Sequence, residues 1–347
     1  MRIFFSGTQA YSWQSGWQRC ATFKELGYEI LEFHQEEFQT QPGMLGRVAE
    51  RMFSRPFQKV DIERFNREFL RAVTASNAHV AWLEWPQMLL PETLLEAKRT
   101  MPGCIFISFQ DDNPFGLRRY DRPRWQHFLE NIPLFDLNFV KRPTDLIEYR
   151  KRNAAKVELF VHGYYGEFFQ PRENGAGNKH DVVFVGTPID DRVKTISELM
   201  RRHDIPVEVY GNSWNRKLIY YRNHPNFHPQ IVGHEYASLL SRSKISLGFV
   251  SSSNLDEYTM RSFEIPACRG FFLAQRTPTH LQLYEEGKEA EYFSSTEECA
   301  DKIRYYLNND TARQKIAEAG YQRCLRSDYS LRRRLRDAMT IIEGMRN

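Results

Sequence analysis

Between residues 254 and 270 the chain reads NLDEYTMRSFEIPACRG, and several of these side chains are suited to holding a phosphorylated ligand. Glu264 stands between Phe263 and Ile265, an odd position for a carboxylate in plain core. One carboxylate can accept from both hydroxyls of a ribose diol. The plainer alternative is an i,i+3 ion pair with Arg261, worth roughly a few tenths of a kcal/mol when exposed. Arg261 and Arg192 carry the planar forks that fit diphosphate oxygens, and Arg192 lies just past the loop GTPIDD. A solvent-facing helix arginine is the alternative for each. Ser251, Ser252, Ser253 and Asn254 follow the apolar run 244–250, at a strand's carboxyl end, where free N–H groups of a helix start attract phosphate.

Other candidates lie elsewhere in the chain. Asp111 and Asp112 follow the apolar run CIFISFQ, so either could orient an acceptor hydroxyl or act as a base; DDNPFG is equally a sequence of turn formers. Gly186 and Gly211 each follow a strand and allow close backbone approach, as does Gly16 after Ser15 at the start of the first helix. None of these glycines completes G-x-G-x-x-G or the phosphate loop G-x-x-x-x-G-K. His224 and His228 are four apart, but Pro225 breaks the helix that would align them on a metal. No G-x-S-x-G elbow for a serine hydrolase is present.

Alternating strands and helices must position these groups. Residues 2–7 predict a strand, 17–26 a helix closed by Gly27, and 28–33 a second strand. A looser stretch with Pro42, Gly43 and Pro56 precedes Asp61, which can cap a helix bearing Ile62, Phe65, Phe69 and Val73 on one face. Strands are expected at 79–85, 104–109, 134–140 and 156–160, with helices at 92–99, around 125–129 and after Thr144. From 163 to 179 the pattern lapses into Gly, Pro and polar residues, as in an interdomain linker. A second series follows, with strands at 181–185, 207–210, 244–250 and 270–274 and helices at 192–202 and 235–243. Ser295 with Glu298 predicts a capping box, and helices at 311–324 and 331–345 close the chain. Such alternation predicts an α/β fold of two mainly parallel sheets, each covered on both faces, with a ligand cleft between the two domains.

A chain of 347 residues with 25 Phe and 17 Tyr has ample material for two cores, which excludes extensive disorder. No apolar run reaches the length of a membrane span, and MRIFF is too short for a signal peptide, so a cytoplasmic protein is expected. Five scattered cysteines without CxxC spacing fit reduced thiols rather than a zinc site. The formal charge of +4 comes from the tail, with Arg323, Arg326, Arg332, Arg333, Arg334, Arg336 and Arg346. A solvated or docked helix face accounts for it; nucleic acid or anionic lipid is the alternative partner.

Together these pieces resemble the CgeB-like glycosyltransferases, of the spore-maturation protein type, grouped with retaining GT-B enzymes. The matching stretches are DVVFVGT with Arg192, VEVYGNSW, RSFEIPACRG, YEEGKEAEYFSSTEECADKIRYYLNND and TARQKIAEAGYQRCL. MRIFFSG, QDDNPFG and VHGYYGEFFQP extend the likeness through the first half. The resemblance implies two Rossmann-like domains: an acceptor domain at 1–165, a nucleotide-sugar donor domain at 166–325, and a terminal helix at 326–347 that returns to the first. It places Glu264 as the second acid of a Glu-x7-Glu pattern, on the donor ribose, and Asp256 at the position of the first, where the family has Glu. Thr187 stands where relatives carry Arg, which leaves Arg192 as the phosphate cation. Tyr210, Gly211 and Val232 fall where base and diphosphate are contacted.

The implied activity is transfer of a sugar from a nucleoside diphosphate, UDP first among them, to a hydroxyl of a polysaccharide, protein or small molecule. It is expected to be retaining and to need no metal or other cofactor, in a monomer or homodimer. Were it inverting, Asp112 or Asp111 would be the base. Two alternatives are a glycosyltransferase acting on nucleic acid, and a two-domain nucleotide or sugar binder without catalysis.

Overall fold

The computed structural model describes residues 1–40, 59–117, 122–172, 180–214 and 224–346. Pro42, Gly43 and Pro56 of the looser stretch, and 173–179 of the expected linker, lie outside these residues. The chain divides into two compact units, Met1–Val161 with Asp337–Asn347, and His162–Arg336.

The first unit is built on a parallel sheet of six strands: β1 (Arg2–Gly7), β2 (Glu29–His34), β3 (Val80–Glu84), β4 (Ile105–Gln110), β5 (Leu137–Val140) and β6 (Val157–Leu159). Their order is β2-β1-β3-β4-β5-β6. Helices α1 (Ser15–Glu25), α2 (Ile62–Ala75), α3 (Pro91–Thr100), α4 (Arg122–Asn131) and α5 (Pro143–Lys151) make the crossovers. Asp61 caps α2 as expected, accepting from the Arg64 N–H at 3.0 Å. The apolar face of α2 delivers Phe65 and Phe69 onto Phe4 and Phe33, with ring centres 5.6–5.9 Å apart and mostly edge-on. Burying each such ring contributes about 2–3 kcal/mol.

One strand is shorter than its apolar run predicts. Residues 132–134 form a 3-10 turn, because Pro133 lacks an N–H for the ladder, and β5 begins only at Leu137. The Asp136 carboxylate fills the gap, accepting from the Phe106 N–H at 2.7 Å.

The second unit repeats the plan. Its strands are β7 (His180–Val185), β8 (Glu208–Tyr210), β9 (Phe227–His228), β10 (Ser243–Gly248), β11 (Phe272–Gln275) and β12 (Glu291–Phe293), all parallel, in the order β9-β8-β7-β10-β11-β12. The helices are α6 (Arg192–Arg201), α7 (Gly233–Ser241), α8 (Arg261–Ala267), α9 (Pro278–Leu283), α10 (Thr296–Asn308) and α11 (Asp310–Arg326); α12 (Leu331–Glu343) begins in this unit and ends in the first. Strand β12 and helix α9 were not legible in the sequence. Three strand residues, one of them Glu291, carry no period; Lys302 and the Tyr306 hydroxyl satisfy that carboxylate inside the core.

Within the stretch expected to be the interdomain linker, the described aromatic residues are packed. Tyr164, Tyr165, Phe168 and Phe169 are all buried, and Tyr164 exchanges backbone hydrogen bonds with Tyr329 and Leu331 at 3.1 and 2.8 Å. Aromatic burial here outweighs the Gly and Pro punctuation that suggested a loop. The capping box is half made: Ser295 accepts from the Glu298 N–H at 3.1 Å. The Glu298 carboxylate turns away to the Ser294 N–H and Arg276, where a guanidinium outcompetes a lone N–H.

Candidate functional site

In the second sheet the chain leaves β7 toward β8 on one side and leaves β10 toward β11 on the other. The loops at the carboxyl ends of these neighbouring strands therefore diverge and leave a crevice, the usual ligand position in such sheets. Beyond β7 the Gly186 N–H donates to the Tyr210 carbonyl at 2.8 Å, and the Trp214 indole N–H donates to the Gly186 carbonyl at 2.8 Å. A Cβ on Gly211 would stand 2.1 Å from that same oxygen. Only glycine lets the two strand-end loops approach this closely.

Two cations converge on this strand end from different helices. The Arg261 Nε, from the start of α8, donates to the Val185 carbonyl, and its guanidinium lies 5.9 Å from the Phe184 ring centre. Arg192, buried at the start of α6, is also 5.9 Å from that ring and donates to the Thr187 carbonyl at 3.3 Å. The sequence alone left each as a possible surface arginine. Two guanidiniums held at one strand end form a local field that favours a polyanion.

Glu264, one turn along α8, is buried and accepts from the Tyr236 hydroxyl at 3.2 Å. Burial pushes its carboxyl up to about 7, with the Arg261 charge and the Tyr236 hydrogen bond pulling the other way. The i,i+3 relation to Arg261 is therefore a buried electrostatic one and not an exposed surface pair. Tyr236, whose own hydroxyl is raised well above its ordinary value by burial, was missed in the sequence. It sits on α7, 28 residues from Glu264, and no local pattern connects them.

The serine edge is tied to the loop after β7. The Ser251 hydroxyl donates to the Asp190 carboxylate at 2.6 Å and lies 3.4 Å from the Ser253 hydroxyl. Asn254 donates to both Asp256 oxygens at 3.3 Å, and the Asp256 N–H returns to the Ser251 carbonyl at 2.9 Å. Val232 is the N-cap residue of α7, preceding Gly233. Tyr210 stacks on His228 at 4.4 Å and its hydroxyl meets His180 at 2.9 Å. Thus Gly186, Thr187, Arg192, Gly211, Arg261 and Glu264 gather near one strand end, and Ser253, Asn254 and Asp256 join them through Asp190.

The first-unit candidates sit at the carboxyl edge of their own sheet. Asp111 accepts from the Trp85 indole N–H at 2.7 Å, and Asp112 pairs with Arg124 at 3.1 Å. Gly16 is required for packing, since a Cβ there would stand 2.5 Å from the Thr8 carbonyl and 2.9 Å from Glu84. Beside it Arg19 and Glu84 form a buried ion pair, with one of its bonds at 2.8 Å and the Trp82 indole on the same carboxylate at 3.1 Å. No local pattern connects these two residues, which are 65 apart in the chain. Among the described residues no group of three or more His, Cys, Asp or Glu side chains is placed to hold a metal ion, and no helix is long and apolar enough to cross a membrane.

Residues 192–340 match a family model described as glycosyl transferase-like. No curated protein matches the chain in sequence. Among solved structures, the sucrose-phosphate synthase of Thermosynechococcus elongatus superposes with a TM-score of 0.68 at 11% identity, covering 99% of each chain. HepE of Anabaena, in complex with UDP-glucose, gives 0.67 at 9% identity over 99% of this chain and 100% of that one. A glycosyltransferase from Rickettsia africae gives 0.63 at 12% over 99% and 98%. The chain therefore has the two-domain GT-B fold, with a glycosyl transferase-like match over residues 192–340.

Proposed function

We propose that this glycosyltransferase takes its sugar from a nucleoside diphosphate sugar held on the second unit, with UDP the first candidate, and is of the CgeB-like kind. The convergence of Arg192 and Arg261 on the end of β7, beside buried Glu264, carries the proposal. Both cations face the diphosphate, helped by amides near Thr187 and the Ser253–Asn254 loop; Glu264 takes the ribose hydroxyls, and Tyr210, Gly211 and Val232 flank the base. Asp256, anchored by Asn254, is assigned to the transferred sugar.

In the retaining course the bond from the anomeric carbon to the phosphate oxygen breaks, and a bond to the acceptor oxygen forms on the same face. The acceptor proton passes to the departing phosphate, whose growing charge the two guanidiniums stabilise without a metal. Asp112 and Asp111, in the first unit, are the bases for an inverting course. The test is a thermal-shift screen with UDP, GDP, dTDP and CMP and their sugars, since a ligand of the folded state raises its melting temperature. Silence from every nucleotide rejects the proposal. Retention of full transfer by Glu264→Ala rejects the assignment of that residue.

A further inference from the structure

The loop joining β1 to α1 in the first unit presents two aromatic rings to solvent. Tyr11 and Trp13 are 55% and 40% exposed, and they stack on each other with centres 4.2 Å apart and planes 11° from parallel. Backbone and side-chain bonds fix this turn, with the Gln14 N–H on the Tyr11 carbonyl at 3.0 Å and the Tyr11 N–H on the Gln14 side chain at 2.9 Å. Leaving two large rings at the surface is unfavourable unless something covers them. Two residues earlier, Gln9 is buried at 4% exposure, and neither atom of its carboxamide has a hydrogen-bond partner among the described residues. Glu36 accepts from the Gln9 and Ala10 N–H groups through one oxygen, while its second oxygen is buried and likewise unpartnered. A buried polar atom without a partner requires explanation, and here two such atoms are on Gln9 of this loop and a third is on the Glu36 carboxylate that holds the Gln9 and Ala10 N–H groups, next in the chain to the exposed aromatic pair.

We propose that this loop is a saccharide site that holds the acceptor, which makes the acceptor a neutral carbohydrate. A pyranose ring has an apolar face of C–H bonds, weakly positive at the hydrogens, that lies against an aromatic π face, and a rim of hydroxyls that both donate and accept. The Tyr11–Trp13 stack supplies the first surface. The Gln9 carboxamide supplies one donor and one acceptor and the free Glu36 oxygen a second acceptor; no hydrogen bond has to break for Gln9 to rotate toward a ligand. From Thr8 to Trp17 the chain reads TQAYSWQSGW, with no charged residue, so nothing on the loop offers a counter-charge to a phosphorylated or nucleic acid acceptor. The inference rests on the proposed reaction only in naming this ligand the acceptor.

The experiment is binding of the labelled full-length protein to an arrayed glycan library, beside the melting-temperature shift with UDP. Wild type is expected to retain neutral glycans at low and high salt alike. Trp13→Ala and Gln9→Ala are each expected to weaken retention about tenfold, with the UDP shift unchanged. Absence of any retained glycan while UDP still shifts the melting temperature overturns the inference and leaves the donor assignment standing. Retention that is indifferent to both substitutions, or confined to anionic glycans, also overturns it. Retention that depends on Trp13 in a protein silent to every nucleotide supports the saccharide site and rejects the donor assignment.

Discussion

The Tyr236 hydroxyl donates to the Glu264 carboxylate across 3.2 Å, joining helices α7 and α8 inside the second unit. Neither group is exposed, so the carboxyl is balanced between a neutral form favoured by burial and an ionised form favoured by Arg261 and the phenol. That balance makes the residue sensitive to pH near neutrality.

The stability effect has a definite sign. Glu264 binds its proton more tightly in the folded chain, near 7, than the ordinary 4.5. The stabilisation is complete below the unfolded value and is lost as pH rises through 7, on the order of 3 kcal/mol in all. Urea midpoints of wild type should fall between pH 5 and pH 8 by more than those of Glu264→Gln. Equal falls in both would sink this account.

Donor binding should run the opposite way. Ribose hydroxyls donate to an ionised carboxylate, so UDP affinity should rise severalfold from pH 6 to pH 8 and level off beyond the titration. Tyr236→Phe removes a hydrogen bond that favours the ionised form, and the midpoint of this rise should move up in pH. Calorimetric titrations across that range measure both; a flat profile in wild type removes Glu264 from the ribose.

Arg192→Ala and Arg261→Ala should discriminate between phosphate and nucleoside. Charge-assisted contacts of this kind contribute about 1.5–3 kcal/mol, so UDP should bind roughly tenfold to a hundredfold more weakly to each variant. Uridine, which lacks the diphosphate, should bind each variant as it binds wild type. Parallel losses for uridine and UDP would mean that the arginines act through packing.

Gly211→Ala tests the close approach of the strand-end loops. With a Cβ 2.1 Å from the Gly186 oxygen, one loop must move, at a cost of about 1–3 kcal/mol. Chemical denaturation should show that loss, and the UDP melting shift should shrink with it. Wild-type stability in the variant would contradict the described geometry.

The Arg19–Glu84 pair in the first unit should behave as a buried ion pair. Arg19→Met alone leaves an uncompensated carboxylate and should cost about 3–5 kcal/mol, while Arg19→Met with Glu84→Gln should recover much of that loss. Additive losses in a urea-denaturation double-mutant cycle would refute the coupling.

The sequence by itself determined the two α/β units, because apolar runs of strand length alternate with helical periods and caps such as Asp61 mark where helices begin. It also singled out Gly186, Arg192, Arg261 and Glu264, since strand ends, glycines and misplaced charges are local signals. The tertiary structure alone decided which of these meet. Arg192 and Arg261 are 69 residues apart in the chain, a spacing that says nothing about their sharing the Phe184 ring. Tyr236 on Glu264, Asp190 on Ser251 and Glu84 on Arg19 are likewise long-range pairs. Hydrophobic periodicity reports which face of an element is buried; it carries no record of which distant polar group a burial will satisfy.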